Sequence, residues 1–272
     1  MVKFCAVIMA GSRGELDPVA RARGTSHKCL VPVVGTSMLS RVIETVTSSE
    51  QINRVVICGE VSLQDFPSVG TRIKRCGFEF LEAAESPASS ARRAFDKFKD
   101  ELPLLIVTAD HPLLDHEMID YFCTNARDRS DVFVGVARAD LVSRSYPRSN
   151  RTRLRFSEGD YCGCNIFALK TRNACSAVTF WQRLEADRKS PWRLISMLGI
   201  GSLLRYVCGR LALTDALATF SKKLGLEARA IEMPFAEAAI DVDDLADLEL
   251  VESIISAREL DRTICESEKG RG

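Results

Sequence analysis

The sequence lacks net charge, an uninterrupted apolar run and paired-cysteine knuckles, and each absence removes a class of function. Lysine plus arginine (37) equal aspartate plus glutamate (37), so no overall basic field exists to hold nucleic acid through counterion release. Any polyanion handled by this chain must be small and gripped locally. The longest apolar stretch, Leu194 to Cys208, is broken by Arg205 and carries Gly199 and Gly201. It falls short of the roughly 20 residues that span a bilayer, so no transmembrane helix is expected. Ten cysteines are scattered through apolar runs, and only Cys162 and Cys164 lie close together, which argues against structural zinc. Free thiols and the absence of a signal-peptide cleavage region after Met1-Val2-Lys3-Phe4 lead to the expectation of a cytoplasmic protein.

What is present is enough to build a large core: 272 residues, 46% of them hydrophobic. Short runs rich in Val, Ile and Phe alternate with segments of helical period, the pattern of a mostly parallel sheet covered by helices. Strands are expected at 4–9, 53–58, 77–81, 103–107, 131–137, 163–169 and 228–232. Helices are expected at 37–48, 87–99, 115–125, 172–184, 192–206, 211–223 and 244–257. With no internal repeat and no low-complexity linker, residues 1–257 are read as a single α/β domain with a helical insertion at 186–224, and 258–272 as a frayed polar tail. In a doubly wound sheet, ligands bind beyond the carboxyl ends of the strands. The loops beginning near residues 10, 84, 108 and 138 are therefore where function should collect.

The first of these loops reads Ala10-Gly11-Ser12-Arg13-Gly14 after a hydrophobic strand. Small residues let backbone N–H groups approach phosphate oxygens, and a guanidinium adds charge-assisted hydrogen bonds. It is followed by His27-Lys28-Cys29-Leu30-Val31-Pro32-Val33-Val34-Gly35-Thr36-Ser37-Met38-Leu39. Together the two segments resemble the N-terminal signature of nucleotidyltransferases that activate sugar phosphates, polyol phosphates and the molybdenum cofactor, the MobA-like NTP transferases. The resemblance implies a Rossmann-like, glycosyltransferase-A-like mixed sheet. It also implies that Lys28 neutralises triphosphate charge while Gly11, Ser12, Arg13 and Gly14 wrap the phosphates. Three positions depart from the family pattern. Ser12 stands where a second glycine is usual, Glu15-Leu16-Asp17 where an arginine is usual, and His27 where a proline usually precedes the lysine. Arg21 and Arg23 are candidates to replace the missing arginine.

A carboxylate at the end of a central strand points into the ligand crevice, where a hard cation can bridge it to phosphate. Asp110, in Thr108-Ala109-Asp110-His111-Pro112-Leu113, resembles the family's magnesium aspartate, whereas Asp115 reads as a helix cap. The segment Asp241-Val242-Asp243-Asp244-Leu245 resembles the family's second carboxylate element. Strand-like alternation would send Asp241 and Asp243 to opposite faces, so the two are not expected to hold one ion directly; the resemblance implies Asp243 as the metal ligand, with Asp241 an outer partner. Capping of the final helix by Asp243 and Asp244 is the competing reading.

By the same resemblance Ser86, Ser89 and Ser90 contact the nucleotide, although capping explains these serines equally well. Gly163 and Asn165 line the acceptor pocket. A cluster comprising Arg144, Arg148, Arg151, Arg153 and Arg155 either holds the acceptor's phosphate, with Arg151 and Arg153 foremost, or is a solvated basic loop. The apolar positions of 192–210 suggest core or dimer packing, or a membrane contact. The expected activity is Mg²⁺-dependent transfer of a nucleoside monophosphate from an NTP to a small phosphorylated acceptor, sugar or polyol phosphate favoured, with a molybdenum-cofactor acceptor also open. An NDP-sugar glycosyltransferase and a non-catalytic nucleotide-binding regulator are the competitors.

Overall fold

A computed structural model describes residues 2–12, 17–185 and 199–269. In chain order its elements are β1 (Phe4–Ala10), α1 (Pro18–Ala22), β2 (Pro32–Val33), β3 (Thr36–Ser37), α2 (Met38–Ser48), β4 (Ile52–Gly59), α3 (Pro67–Cys76), β5 (Glu79–Glu82) and α4 (Pro87–Phe98). They continue with β6 (Leu104–Thr108), α5 (His116–Asn125), β7 (Val132–Arg138), α6 (Ala139–Ser145), β8 (Leu154–Phe156), β9 (Gly159–Leu169), α7 (Cys175–Leu184), α8 (Ile200–Val207), α9 (Leu213–Leu224), β10 (Ala228–Glu232) and α10 (Leu245–Lys269).

Alternate residues of β1 explain why helices cover both faces of the sheet. Phe4, Ala6, Ile8 and Ala10 join a core cluster with Leu39, Val42, Ile43 and Val46 of α2 and Met118, Ile119 and Phe122 of α5. Cys5 and Val7 join the opposite cluster with Ala91, Phe95 and Phe98 of α4 and Val178 of α7. A strand whose two faces are both buried reads as a continuous apolar run, as Phe4 to Ala10 does.

The main sheet runs in the order β10-β7-β9-β6-β1-β4-β5, with β8 paired to β9. β6, β1, β4 and β5 are mutually parallel. β9 is antiparallel to both of its neighbours, β6 and β7, and β10 returns parallel to β7. The sheet is therefore mixed and mostly parallel, as expected. From β1 the chain crosses to β4 and β5 on one side, then returns to place β6 on the other. The loops leaving β1 and β6 lead to α2 and α5 on the same face of the sheet, so they lie side by side at the carboxyl edge, beside the reversal where ligands bind in such sheets.

The sequence reading passed over α3 and α6, which have few buried residues each. α3 is set by local chemistry instead: Pro67 stands at its start and Gly77, with φ 68°, closes it in the left-handed region. The expected helix at 192–206 is seen only as α8, since residues 186–198 lie outside the described part. The expected polar tail is different: α10 continues helical through Lys269. Arg258 pairs with Glu237, and Glu259 with Arg41 of α2, so the helix remains attached to the body beyond residue 257. Among the described residues no helix is long and apolar enough to cross a membrane.

Candidate functional site

The crevice is built first from the loops after β1 and β6. Lys28 opens a 3₁₀ turn, Lys28–Leu30, held down by the buried residues beside it: Cys29, Val31 and Val33. That anchoring turns the Lys28 side chain across the β1–β6 reversal, where Nζ donates to Asp110 Oδ2 at 2.7 Å and lies 3.7 Å from Asp243 Oδ1. Asp110 follows β6 by two residues. Its backbone oxygen accepts from the Val242 amide at 2.9 Å, which ties the far end of the chain to the same crevice. A separate apolar cluster makes this juxtaposition rigid. Val19, Val31, Val33, Met38 and Leu113 pack against Ile240, Val242, Leu248, Val251 and Ile255.

Asp241, Val242 and Asp243 are not a strand, so the two carboxylates do not alternate as expected. One oxygen from each of Asp110, Asp241 and Asp243 falls within 4.8 Å of the others. The chain turns here because the last helix is capped at once. Asp244 Oδ1 accepts from the Asp247 amide, and Asp247 Oδ2 accepts from the Asp243 amide, both at 2.9 Å. Asp244 is therefore the cap, and the Asp243 side chain remains 71% exposed toward the crevice.

Three carboxylates so close create opposing shifts. Burial works against charge on Asp110, but Lys28 outweighs it and holds Asp110 below the ordinary carboxylate range. Lys28 is in turn kept above its usual range: burial opposes its charge, and Asp110, then Asp243 and Asp241, prevail. Asp241 is pushed up to about 7 by burial and by the negative charges of Asp110 and Asp243, in spite of Arg151. The Asp110 Oδ1 atom is buried and has no hydrogen-bond partner among the described residues. An orphaned buried carboxylate oxygen beside two further carboxylates is a donor set of the hard-oxygen kind that suits Mg²⁺.

Several residues expected at the site do other work. Arg151, expected at the acceptor's phosphate, is enclosed between Asp241 Oδ1, 2.5 Å away, and Asp247, with a side chain only 8% exposed. It orients a carboxylate and anchors α10. Arg153 is exposed, and its guanidinium donates to Ser143 Oγ at 3.0 Å. Ser86 caps α4 by accepting from the Ser89 amide, Ser90 Oγ accepts from the Ala84 amide, and Ser89 Oγ accepts from Gln182. The capping reading thus accounts for Ser86, whereas Ser90 ties the turn before the helix, and Asp115 caps α5 as expected. Arg23 pairs with Glu252 at 2.7 Å, while Arg21 is exposed. Ala10 is buried at the end of β1, and Gly11 lies so close to Ala83 that an added Cβ would approach it to 3.0 Å. Arg13 and Gly14 lie outside the described residues.

β9 supplies the opposite wall. Its pairing with β7 shifts register between Val134 and Val136, and Asn165 takes a left-handed φ of 50°, a costly conformation for a residue with a side chain. Asn165 Nδ2 donates to Asp241 Oδ2 at 2.7 Å. Gly163 is exposed, and a Cβ built on it would meet nothing within 4 Å, so the strand presents bare backbone to open space.

Sequence reasoning missed four contributors. Asp247 was absorbed into the last helix, although an aspartate three residues after a capping aspartate is itself a signal. Glu60 follows the end of β4, the same placement that singled out Asp110. His111 is buried, with Nε2 3.0 Å from the Glu237 carbonyl. Tyr146 donates to Glu237 Oε1 at 2.5 Å.

The chain can now be set beside known proteins. The MobA-like NTP transferase domain family matches residues 6–227, a span that ends before Asp241 and Asp243. Among solved structures, a hypothetical transferase from Thermus thermophilus is similar at a TM-score of 0.73 and 26% identity, covering 90% of this chain and 99% of that one. A 4-diphosphocytidyl-2C-methyl-D-erythritol synthase from Anaerococcus prevotii is similar at 0.55 and 11% identity, covering 93% and 99% of the two chains. A CMP:2-keto-3-deoxy-manno-octonic acid synthetase complexed with CTP is similar at 0.57 and 15% identity, covering 94% and 99%. At those identities the last two share the fold. No curated protein matches the chain. With the family match taking in most of the sequence, including the β1 loop, Lys28 and Asp110, the chain belongs to the MobA-like NTP transferase domain family and is a nucleotidyltransferase.

Proposed function

We propose that the protein transfers a nucleoside monophosphate from an NTP to a small phosphorylated acceptor, a sugar or polyol phosphate, releasing pyrophosphate with Mg²⁺ as cofactor. The observation that carries this reading is the meeting of Lys28 with Asp110 and Asp243 across the β1–β6 reversal. Asp110 and Asp243 hold the cation, with Asp241 beside them fixed by Arg151 and Asn165. When bound, Mg²⁺ supplies charge neutralisation at the α-phosphate. Gly11, Ser12, Arg13 and Gly14 take the triphosphate, and Lys28 stabilises charge that develops on pyrophosphate. A phosphate monoester is already ionised near neutral pH, so attack on the α-phosphorus needs no general base, and catalysis is positioning plus electrostatics.

Acceptor binding falls to the wall formed by Gly163, Asn165 and Arg153. Bare backbone at Gly163 admits a close ligand, and the exposed Arg153 guanidinium has no carboxylate partner among the described residues. The test is a screen of the four NTPs against sugar phosphates, polyol phosphates and cofactor phosphates with pyrophosphate as readout. Pyrophosphate that appears only when one NTP and one phosphorylated acceptor are combined is the expected result. Release of free NDP from an NDP-sugar in place of pyrophosphate would overturn the reading.

A further inference from the structure

Two of the positions where this chain departs from its family's signature, Ser12 and His27, meet on a single carboxylate. Ser12 Oγ donates to Glu60 Oε1. His27 Nε2 lies 2.9 Å from Glu60 Oε2 and 3.1 Å from Ser62 Oγ, while its Nδ1 lies 2.8 Å from Ser26 Oγ. The His27 side chain is only 7% exposed and sits edge-on to Phe66, with ring centroids 5.9 Å apart. Both of its ring nitrogens are therefore engaged by polar partners, Glu60 being partly open to solvent.

We propose that Glu60 is a positioning residue that clasps the neck of the nucleotide loop, joining its first residue, Ser12, to its last, His27, and so fixing Lys28 for phosphate. The proposal rests on the reading that this loop holds the triphosphate. Ser12 lies two residues beyond the end of β1, and His27 immediately precedes Lys28, so the excursion between them begins and ends on the same side chain. Glu60 can serve both because β4 is parallel to β1 and in register with it, Ala10 opposite Gly59. The carboxylate thus emerges one residue beyond the strand end, beside the loop's origin. In the family pattern a glycine and a proline occupy the two positions. A proline stiffens the chain through its ring, whereas here the same stiffness comes from hydrogen bonds to an ion. Closing a loop at its neck removes conformations that do not bind ligand, which raises affinity without a direct contact.

The test uses the intact protein and two readouts. Glu60→Ala should weaken binding of each of the four magnesium nucleoside triphosphates, titrated by calorimetry, by about tenfold, the equivalent of roughly one charge-assisted hydrogen bond. Ser12→Ala should weaken it less, and the double variant should be no worse than Glu60→Ala alone, since both remove one link. Independently of nucleotide, the amides of Arg21, Arg23 and Thr25, which bond within the loop, should exchange faster in Glu60→Ala while those of β6 do not change. Unchanged exchange would overturn the clasp, as would a loss confined to one base, which would make Glu60 a reader of the base edge. If the wild-type protein binds none of the four nucleotides, the proposed function fails, and the exchange rates still decide the clasp.

Discussion

At the scale of single residues, Lys28 carries the strongest consequence, because its ammonium bonds Asp110 and lies near Asp243 and, on the proposed function, meets the incoming phosphates as well. Lys28→Ala should lower kcat by about two to three orders of magnitude, the scale of losing one preorganised charge stabiliser. A pyrophosphate assay of variant and wild type at saturating NTP checks it, and a change confined to KM would contradict it. Arg151 makes a different prediction. Removing one partner of a buried ion pair leaves uncompensated charge, so Arg151→Met should cost about 3–5 kcal/mol of stability. Denaturant unfolding measures that loss, and a cost under about 1 kcal/mol would show that Asp241 and Asp247 are solvated after all. These two residues also mark how far the sequence could be read. Lys28 and Asp110 stand in short motifs whose neighbours determine their placement. Arg151 was one arginine among several in a basic loop, and nothing local reveals that its partners lie near residue 241.

Elements hold the site through caps and ties as much as through burial. Asp244→Ala should lower stability by about 1 kcal/mol, the usual value of an N-cap carboxylate, readable as a small fall in unfolding midpoint with the fold retained. A second tie links the loop after β6 to the short turn at Ala236–Ala239 through His111. Burial holds His111 below its ordinary pKa of 6.5, so the folded protein keeps it neutral while the unfolded chain takes up a proton. Stability from this group is complete above the unfolded value and falls as pH drops below about 6.5 toward the lower folded value. The advantage of wild type over His111→Gln, measured by thermal unfolding, should shrink between pH 7.5 and pH 5.5. Parallel profiles would show that His111 takes up its proton equally in the folded and unfolded chains. Strand and helix placement in the βα repeat was legible because both sheet faces are buried and the apolar runs are long. The short α3 and α6, and the turn at 241–244, were not, since caps and distant contacts decide them more than periodicity.

For the whole molecule, the reversal between β1 and β6 was foreseeable from alternating strands and helices, while the antiparallel β9 between β6 and β7 was not, because pairing direction leaves no mark on composition. Yet β9 supplies Asn165 and Gly163, so that side of the candidate site depends on this strand. The carboxylate group draws Asp110 from mid-chain and Asp241 and Asp243 from a stretch made much later, held by the packing of Ile240, Val242 and Leu248 on Val31 and Leu113. Synthesis on the ribosome runs from one end to the other. A growing chain therefore displays its lysine and first aspartate long before the remaining acids emerge, and on the proposed function the cation site is complete only once the final helix has left the exit tunnel and docked.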